Sequence, residues 1–271
     1  NYTEISFLNK EQSLSLSGLL FRPKGDGPFP TAVIIHGSGT SRRDNIWYLT
    51  LVNHLQENGI MVLLPDKRGS ENSEGNWTNS SFEDLASDTK AAIDYLNTAY
   101  SNDVKYLGIV GMSQGGHIAP IVANEETNLN FVVNVAGAAV PMHEQFLYEE
   151  NHNLREIGFL PGISNLLSYA STYYHRELGH NKAFWNTIGN YDPLPDWDSI
   201  QTRTLILYGE EDTNTPVKQS KTNLEALNNK QIKINIYSRS EHPIQDPKGS
   251  GTQIIRKDAL NDISTFIKTE K

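Results

Sequence analysis

The sequence predicts an α/β protein: a mostly parallel central sheet with helices on both faces, an N-terminal antiparallel hairpin and one helical cap insertion. Three observations predict it. From residue 31 onward, short and nearly all-apolar runs alternate with helix-length stretches. Before them, two segments alternate apolar and polar residues with period two. Between two of the later strands, residues 141–199 hold no strand-like run, and some 59 residues is far longer than an ordinary crossover needs.

Taken in order, residues 3–8 and 14–20 form the hairpin, with Leu14, Leu16 and Leu20 opposed to Ser13, Ser15 and Ser17. Residues 23–30 hold Gly25, Gly27 and Pro28 and read as a loop. Residues 31–35 are a strand. Residues 45–58 are a helix that stops at Gly59, and residues 60–64 are a strand ended by Pro65. Ser80 with Glu83 and Ser81 with Asp84 are two overlapping capping boxes, and Leu85, Ala92, Ile93 and Leu96 follow at helical spacing. A strand at 106–110, a helix at 114–124 and a strand at 131–135 come next. After the cap, strands at 204–208 and 232–237 and a helix at 254–267 complete a single domain over residues 1–271.

Composition narrows the function. The 271 residues carry 23 Lys and Arg against 32 Asp and Glu, a net charge of −9. No basic run is present, so phosphate-backbone binding is disfavoured and no nucleic-acid partner is expected. Cysteine is absent, which excludes disulfides, zinc fingers and thiol nucleophiles. No apolar run reaches the ~18–20 residues of a membrane span. His175 and His180 stand five apart, off a common helix face, so no metal site is expected. Gly37-Ser38-Gly39 lacks the rest of a dinucleotide fingerprint, so no cofactor is expected. The chain starts at Asn1, a leader would be invisible, and the compartment, cytoplasmic or exported, stays open. Oligomeric state leaves no signature in the sequence.

The strongest chemical signal is Gly111-Met112-Ser113-Gln114-Gly115, a G-x-S-x-G run with an apolar strand before it and a helix after it. Such a turn is sharp, and residues two positions either side of the serine must be small. Ser113 is thereby projected from the carboxyl end of the sheet over a helix N-terminus. A serine hydroxyl is a weak nucleophile and needs a base oriented by a third group. The strand at 204–208 leads into Glu210, Glu211 and Asp212, and the strand at 232–237 leads into His242. Asp212 is the preferred acid over Glu210 and Glu211, although a turn role before Thr213 and Pro216 would also suit it. His242 is preferred among eight histidines because it follows the final strand. His36 is read as shaping its loop, and His117 as either pocket wall or helix packing. His36-Gly37-Ser38-Gly39 directly follows an apolar strand. Its glycines let backbone approach a substrate oxygen, so the backbone N–H groups of Ser38 and Gln114, with Gly39 less favoured, are the expected oxyanion donors.

These signatures, with the Asp66-Lys67-Arg68-Gly69 turn, resemble serine hydrolases of the α/β-hydrolase fold. The hairpin and the Ser113-Gln114-Gly115-Gly116 elbow are most similar to bacterial carboxylesterases related to the dienelactone-hydrolase and acyl-peptidase groups. The resemblance spans the chain apart from the cap. It implies a Ser113, Asp212, His242 triad, a structural role for the 66–69 turn and a small-molecule ester substrate. A peptidase or thioesterase, or a non-catalytic binding protein on the same fold, would share the framework. The cap adds an expectation. It carries three basic and eight acidic residues, net −5, and ten of the chain's 25 aromatics. Its charge should repel anionic substrates, and its aromatics should wall the cleft.

Overall fold

The computed structural model describes residues 2–179, 182–249 and 251–269. Its eight strands are β1 (Thr3–Asn9), β2 (Leu14–Phe21), β3 (Phe29–Ile35), β4 (Met61–Pro65), β5 (Val104–Met112), β6 (Phe131–Val135), β7 (Thr204–Gly209) and β8 (Ile232–Tyr237). They form one sheet in the order β1-β2-β4-β3-β5-β6-β7-β8. β1 and β2 pair antiparallel, as do β2 and β4, and every pairing from β4 to β8 is parallel. The parallel strands therefore all deliver their carboxyl ends to one edge, where the loops that carry chemistry begin.

Helices α1 (Ile46–Glu57), α2 (Phe82–Ala99), α3 (Gly115–Glu125), α4 (Met142–Glu156), α5 (Pro161–Glu177), α6 (Lys182–Ile188), α7 (Leu194–Ser199), α8 (Val217–Ala226) and α9 (Lys257–Lys268) follow in chain order. On one face, Leu51 and Leu55 of α1 and Ile263 and Ile267 of α9 pack on Val62, Val110 and Val133. On the other, Phe82, Leu96, Ile118 and Leu224 of α2, α3 and α8 pack on Val33, Ile109 and Ile206. Covering both faces is why β3 to β7 are almost wholly apolar: neither side of the pleat meets water.

Local signals account for the boundaries. Asn45 caps α1 by accepting from the Trp47 N–H, and Gly59 ends it at φ +78°. Of the two overlapping capping boxes, Ser81 with Asp84 is the one formed. Of the departures from expectation, three have a local physical cause. β3 begins at Phe29, inside the expected loop, because a register irregularity between Phe29 and Pro30 accommodates the proline in the ladder. α8 has no counterpart among the expected helices: only Val217, Ser220 and Leu224 are buried, so its apolar stripe is too thin to read. α9 starts at Lys257, because residues 254–256 are spent on an isolated bridge from Ile255 to Gln245 and on the extended Arg256 that precedes the helix.

The segment between β6 and β7 is helical as expected, and it divides in two. α7 belongs to the body: Trp197 is fully buried beside α3, and Asn124 Nδ2 donates to the Asp196 carbonyl at 3.0 Å. α4 and α5 instead form an antiparallel hairpin over the carboxyl edge of the sheet. Ser164 Oγ donates to Asn151 Oδ1 at 2.6 Å, and Ser171 Oγ to Glu150 Oε2 at 2.7 Å. α6 leans on the short helix at Trp77–Asn79 through an edge contact of Phe184 with Trp77.

Candidate active site

Ser113 stands between β5 and α3 with φ +53°, in the left-handed region where a non-glycine residue is strained. Its own N–H is tied to the Val135 carbonyl at 2.8 Å. A side chain at Gly111 would collide with the Gly115 carbonyl, and one at Gly115 with the Ile35 carbonyl. Strand, turn and helix approach too closely for any other residue, which is the physical content of the G-x-S-x-G spacing. A strained turn of this kind aims Oγ outward and persists because the surrounding core over-determines it.

The ends of β7 and β8 bring the partners in. His242 Nε2 lies 3.0 Å from Ser113 Oγ, and His242 Nδ1 lies 2.8 Å from Asp212 Oδ2. An ionised carboxylate only accepts, so Nδ1 carries the hydrogen and Nε2 is left bare to accept from the serine hydroxyl. Asp212 is 2 % exposed. Its Oδ1 accepts from the Asn214 and Thr215 N–H groups, both at 2.8 Å, so it holds its own turn as well as the histidine. Burial works to lower the His242 pKa, but the adjacent Asp212 charge and hydrogen bond, with Glu149 nearby, outweigh it and the net direction is up. Glu210 and Glu211 point elsewhere: Glu210 accepts from the Arg239 N–H, and Glu211 is exposed.

The backbone donors are positioned by a residue that sequence reading passed over. The Gly37 N–H is taken by the Tyr48 hydroxyl at 2.8 Å, whereas no acceptor among the described residues meets the N–H of Ser38 or Gln114. Lys67 Nζ, buried beneath them, donates to the Gly37 carbonyl at 2.8 Å and to Gln114 Oε1 at 3.1 Å, and stands 4.9 Å from the centre of the Trp77 ring. The Gly37 carbonyl and the Ser38 N–H share one peptide unit, so the ammonium polarises that N–H toward any developing anion. Burial pulls the Lys67 pKa down to about 7. A charged residue directly beyond the carboxyl end of an apolar strand was the available clue. The rest of the turn is structural: Asp66 pairs with Arg43 at 2.8 Å, and Arg68 with Asp88 at 2.6 Å.

The other histidines separate cleanly. His36 Nε2 donates to the Pro65 carbonyl at 2.6 Å, and burial lowers its pKa to about 4, so it pins one loop to another. His117 is fully buried on Phe82, also lowered to about 4, and is helix packing. His175 packs on Phe146, and the expectation about its pairing with His180 lies outside the described residues. Among the described residues no group of His, Asp and Glu is arranged to hold a metal, and no helix is long and apolar enough to cross a membrane.

A cleft of about 380 Å³ opens over Ser113 and His242. Trp47 forms one side, donating its indole N–H to the Pro243 carbonyl at 3.1 Å and lying against the His242 ring. Met142, Phe146, Phe184 and Trp185 form the roof. The expectation that the whole aromatic complement of 141–199 walls the cleft needs correcting. Three of the ten line it, Tyr191 and Trp197 pack against the body, Tyr148 donates its hydroxyl to the Asp212 carbonyl at 2.9 Å, and Phe159, Tyr169, Tyr173 and Tyr174 face solvent. Of the segment's eight acidic residues, Glu149 is the one lining the cleft among the described residues. Asn214 Nδ2 donates to it at 2.7 Å, and burial raises its pKa.

Comparison with known proteins places this geometry. The sequence pattern of the prolyl oligopeptidase family (Peptidase_S9) matches residues 47–269. Esterase EstD of Thermotoga maritima is 24% identical over 263 residues, covering 92% of this chain and 63% of that protein. This chain thus spans less than two thirds of that relative's length. Among solved structures, the Pyrococcus furiosus esterase Pf2001 superposes with a TM-score of 0.70 at 19% identity, over 99% of this chain and 90% of the other. The α/β hydrolase GrgF of Penicillium sp. sh18 superposes with a TM-score of 0.72 at 17% identity, over 99% and 98%. The fold is that of the α/β hydrolases.

Proposed function

The chain belongs to the prolyl oligopeptidase family, and from that premise we propose that it hydrolyses small, neutral carboxylic esters through an acyl-serine intermediate. The observation that carries the proposal is the unbroken relay from Ser113 through His242 to Asp212, at 3.0 and 2.8 Å, beside the N–H groups of Ser38 and Gln114, which meet no acceptor among the described residues. Neutral His242 takes the Ser113 proton as Oγ attacks the ester carbonyl. Asp212 stabilises the imidazolium and keeps the ring in the productive tautomer. The carbonyl oxygen becomes an anion between the N–H groups of Ser38 and Gln114, with Lys67 polarising the first and holding the side chain of the second. His242 then returns the proton to the departing alcohol. Water enters and attacks the acyl carbon as His242 takes its proton; the acyl–Oγ bond then breaks, His242 returns the proton to Ser113 Oγ, and the acid leaves.

The cleft favours a modest, uncharged substrate. Its roof is Met142, Phe146, Phe184 and Trp185, which suits acyl or aryl groups, and Glu149 meets an incoming carboxylate with like charge. The esterase named among the relatives supports ester over amide chemistry. Peptide hydrolysis is the second reading, favoured by the family to which the chain belongs. The test is labelling with a fluorophosphonate probe alongside turnover of p-nitrophenyl acetate and butyrate and of matched anilides. The proposal expects labelling, with ester turnover far above anilide turnover. Labelling with anilide turnover equal to ester turnover moves the assignment to a peptidase, and no labelling removes it.

A further inference from the structure

Helix α5 is built inside out. Its buried row is Ser164, Ser168 and Thr172, small polar residues at i, i+4 and i+8, set against α4. The opposite half of the helix carries Ile163, Leu166, Tyr169, Tyr173 and Tyr174, and these are exposed, Leu166 at 71%, Tyr169 at 64% and Tyr173 at 63%. Ile157, Phe159, Leu160 and Leu178 extend the strip at its two ends. These nine are most of the exposed large apolar side chains among the described residues. An ordinary surface helix turns its apolar stripe inward. Here the inner contact is made by hydroxyls and amides, and the apolar face has been left for something else.

We propose that this face is the interface with a second copy of the chain, the two α5 helices packing antiparallel about a two-fold axis centred between Leu166 and Tyr169. Size supports a protein occupant. At roughly 200 Å² for a fully exposed large side chain, these exposures amount to about 1,000 Å², beyond the few hundred of a typical monomer patch and matching the ~800 Å² per partner of a stable complex. Composition agrees, since tyrosines with branched aliphatics are what interface centres use. Charge selects the second copy over a lipid surface. Helices that lie on anionic membranes are flanked by Lys and Arg, whereas residues 141–199 carry net −5. The strip is also self-complementary. Arg155 and Glu156 stand at the end near Leu160, and Arg176 and Glu177 at the end near Leu178. A two-fold axis brings unlike ends together, so Arg155 of each copy faces Glu177 of the other, and Ile163 faces Tyr173. This pairing does not depend on the proposed chemistry, since no residue of the strip lines the cleft.

The experiment is sedimentation of the full chain from ~0.1 to ~50 µM, spanning the nM-to-µM range of standard interfaces. Wild type should reach twice the monomer mass. Leu166→Asp should sediment as a monomer, with its far-UV circular dichroism unchanged and its thermal melt matching that of wild type at concentrations where wild type is itself monomeric. Arg155→Glu should weaken association roughly tenfold through two symmetry-related contacts, and adding Glu177→Arg should restore it. Three results overturn the proposal: a wild type that stays monomeric throughout, a dimer indifferent to Leu166→Asp, or a double charge reversal that fails to rescue. Cosedimentation with phosphatidylcholine or phosphatidylglycerol vesicles that is lost in Leu166→Asp would assign the face to lipid and overturn it as well.

Discussion

The floor and the roof of the cleft are built on opposite logics. The floor is made of strand ends. Ser113, Asp212 and His242 sit at the exits of β5, β7 and β8, and the groups around them are held by backbone: Val135 holds Ser113, while the Asn214 and Thr215 N–H groups hold Asp212. The roof is a helical hairpin whose inner seam is Asn151, Ser164 and Ser171, and whose outer face is apolar. On the proposed function, rigidity is concentrated where the proton would move, and adjustable packing where the substrate would be gripped. Chemistry tolerates a displacement of ~0.5 Å poorly, whereas an acyl group fits many apolar walls.

If that division holds, substitutions in the floor should act on turnover and those in the roof on selectivity. The largest effect is expected from Ser113→Ala, with kcat reduced roughly 10⁵–10⁶-fold and the fluorophosphonate label gone. Its melt should stay close to wild type, since the strain lies in the backbone at φ +53°. Retention of a tenth of wild-type turnover would show that the floor does not carry the reaction.

Asp212→Asn comes next, with kcat down roughly 10³–10⁴-fold from loss of the tautomer and of imidazolium stabilisation. Glu211→Gln should stay close to wild type. A Glu211 variant more damaged than the Asp212 variant would move the acid to the wrong side of the turn.

Lys67→Met should lower kcat about 10- to 100-fold with little change in KM, because the ammonium acts on the donor of a developing charge rather than on bound substrate. The sign with pH follows from burial. Lys67, pulled down to about 7, is charged below that pH and neutral above it. Wild type should therefore lose part of its kcat/KM as pH rises past 7, and Lys67→Met should lack that decline. Identical alkaline profiles would leave Lys67 as packing under the loop.

The smallest effect belongs to the roof. Glu149 raises the His242 pKa, so Glu149→Gln should move the acid limb of kcat/KM to lower pH, toward the ordinary 6.5. The wild-type limb should lie above that value, because the net shift is upward. The same variant should narrow the preference for a neutral ester over its ω-carboxylate analogue several-fold at low salt, and less at 1 M salt. An unchanged acid limb would separate Glu149 from the chemistry altogether.

Much of the floor was legible in the chain because backbone geometry dictates residue type there. The spacing from Gly111 to Gly115 is demanded by a turn that admits no side chain, and the acidic and histidine residues must follow strand exits. The helix stop at Gly59, the capping box at Ser81 and the apolar runs of β4 to β7 are local in the same sense. Lys67 was hidden because its meaning lies in the Gly37 carbonyl, 30 residues back along the chain, and in Gln114, 47 ahead. Glu149 was one acid among eight, and only the docking of α4 over β7 distinguishes it. The aromatics of 141–199 could be counted but not sorted. Composition is a sum over residues, whereas facing the cleft, the core or solvent depends on the rotation of each helix about its axis, and that rotation is settled by packing between segments far apart in sequence.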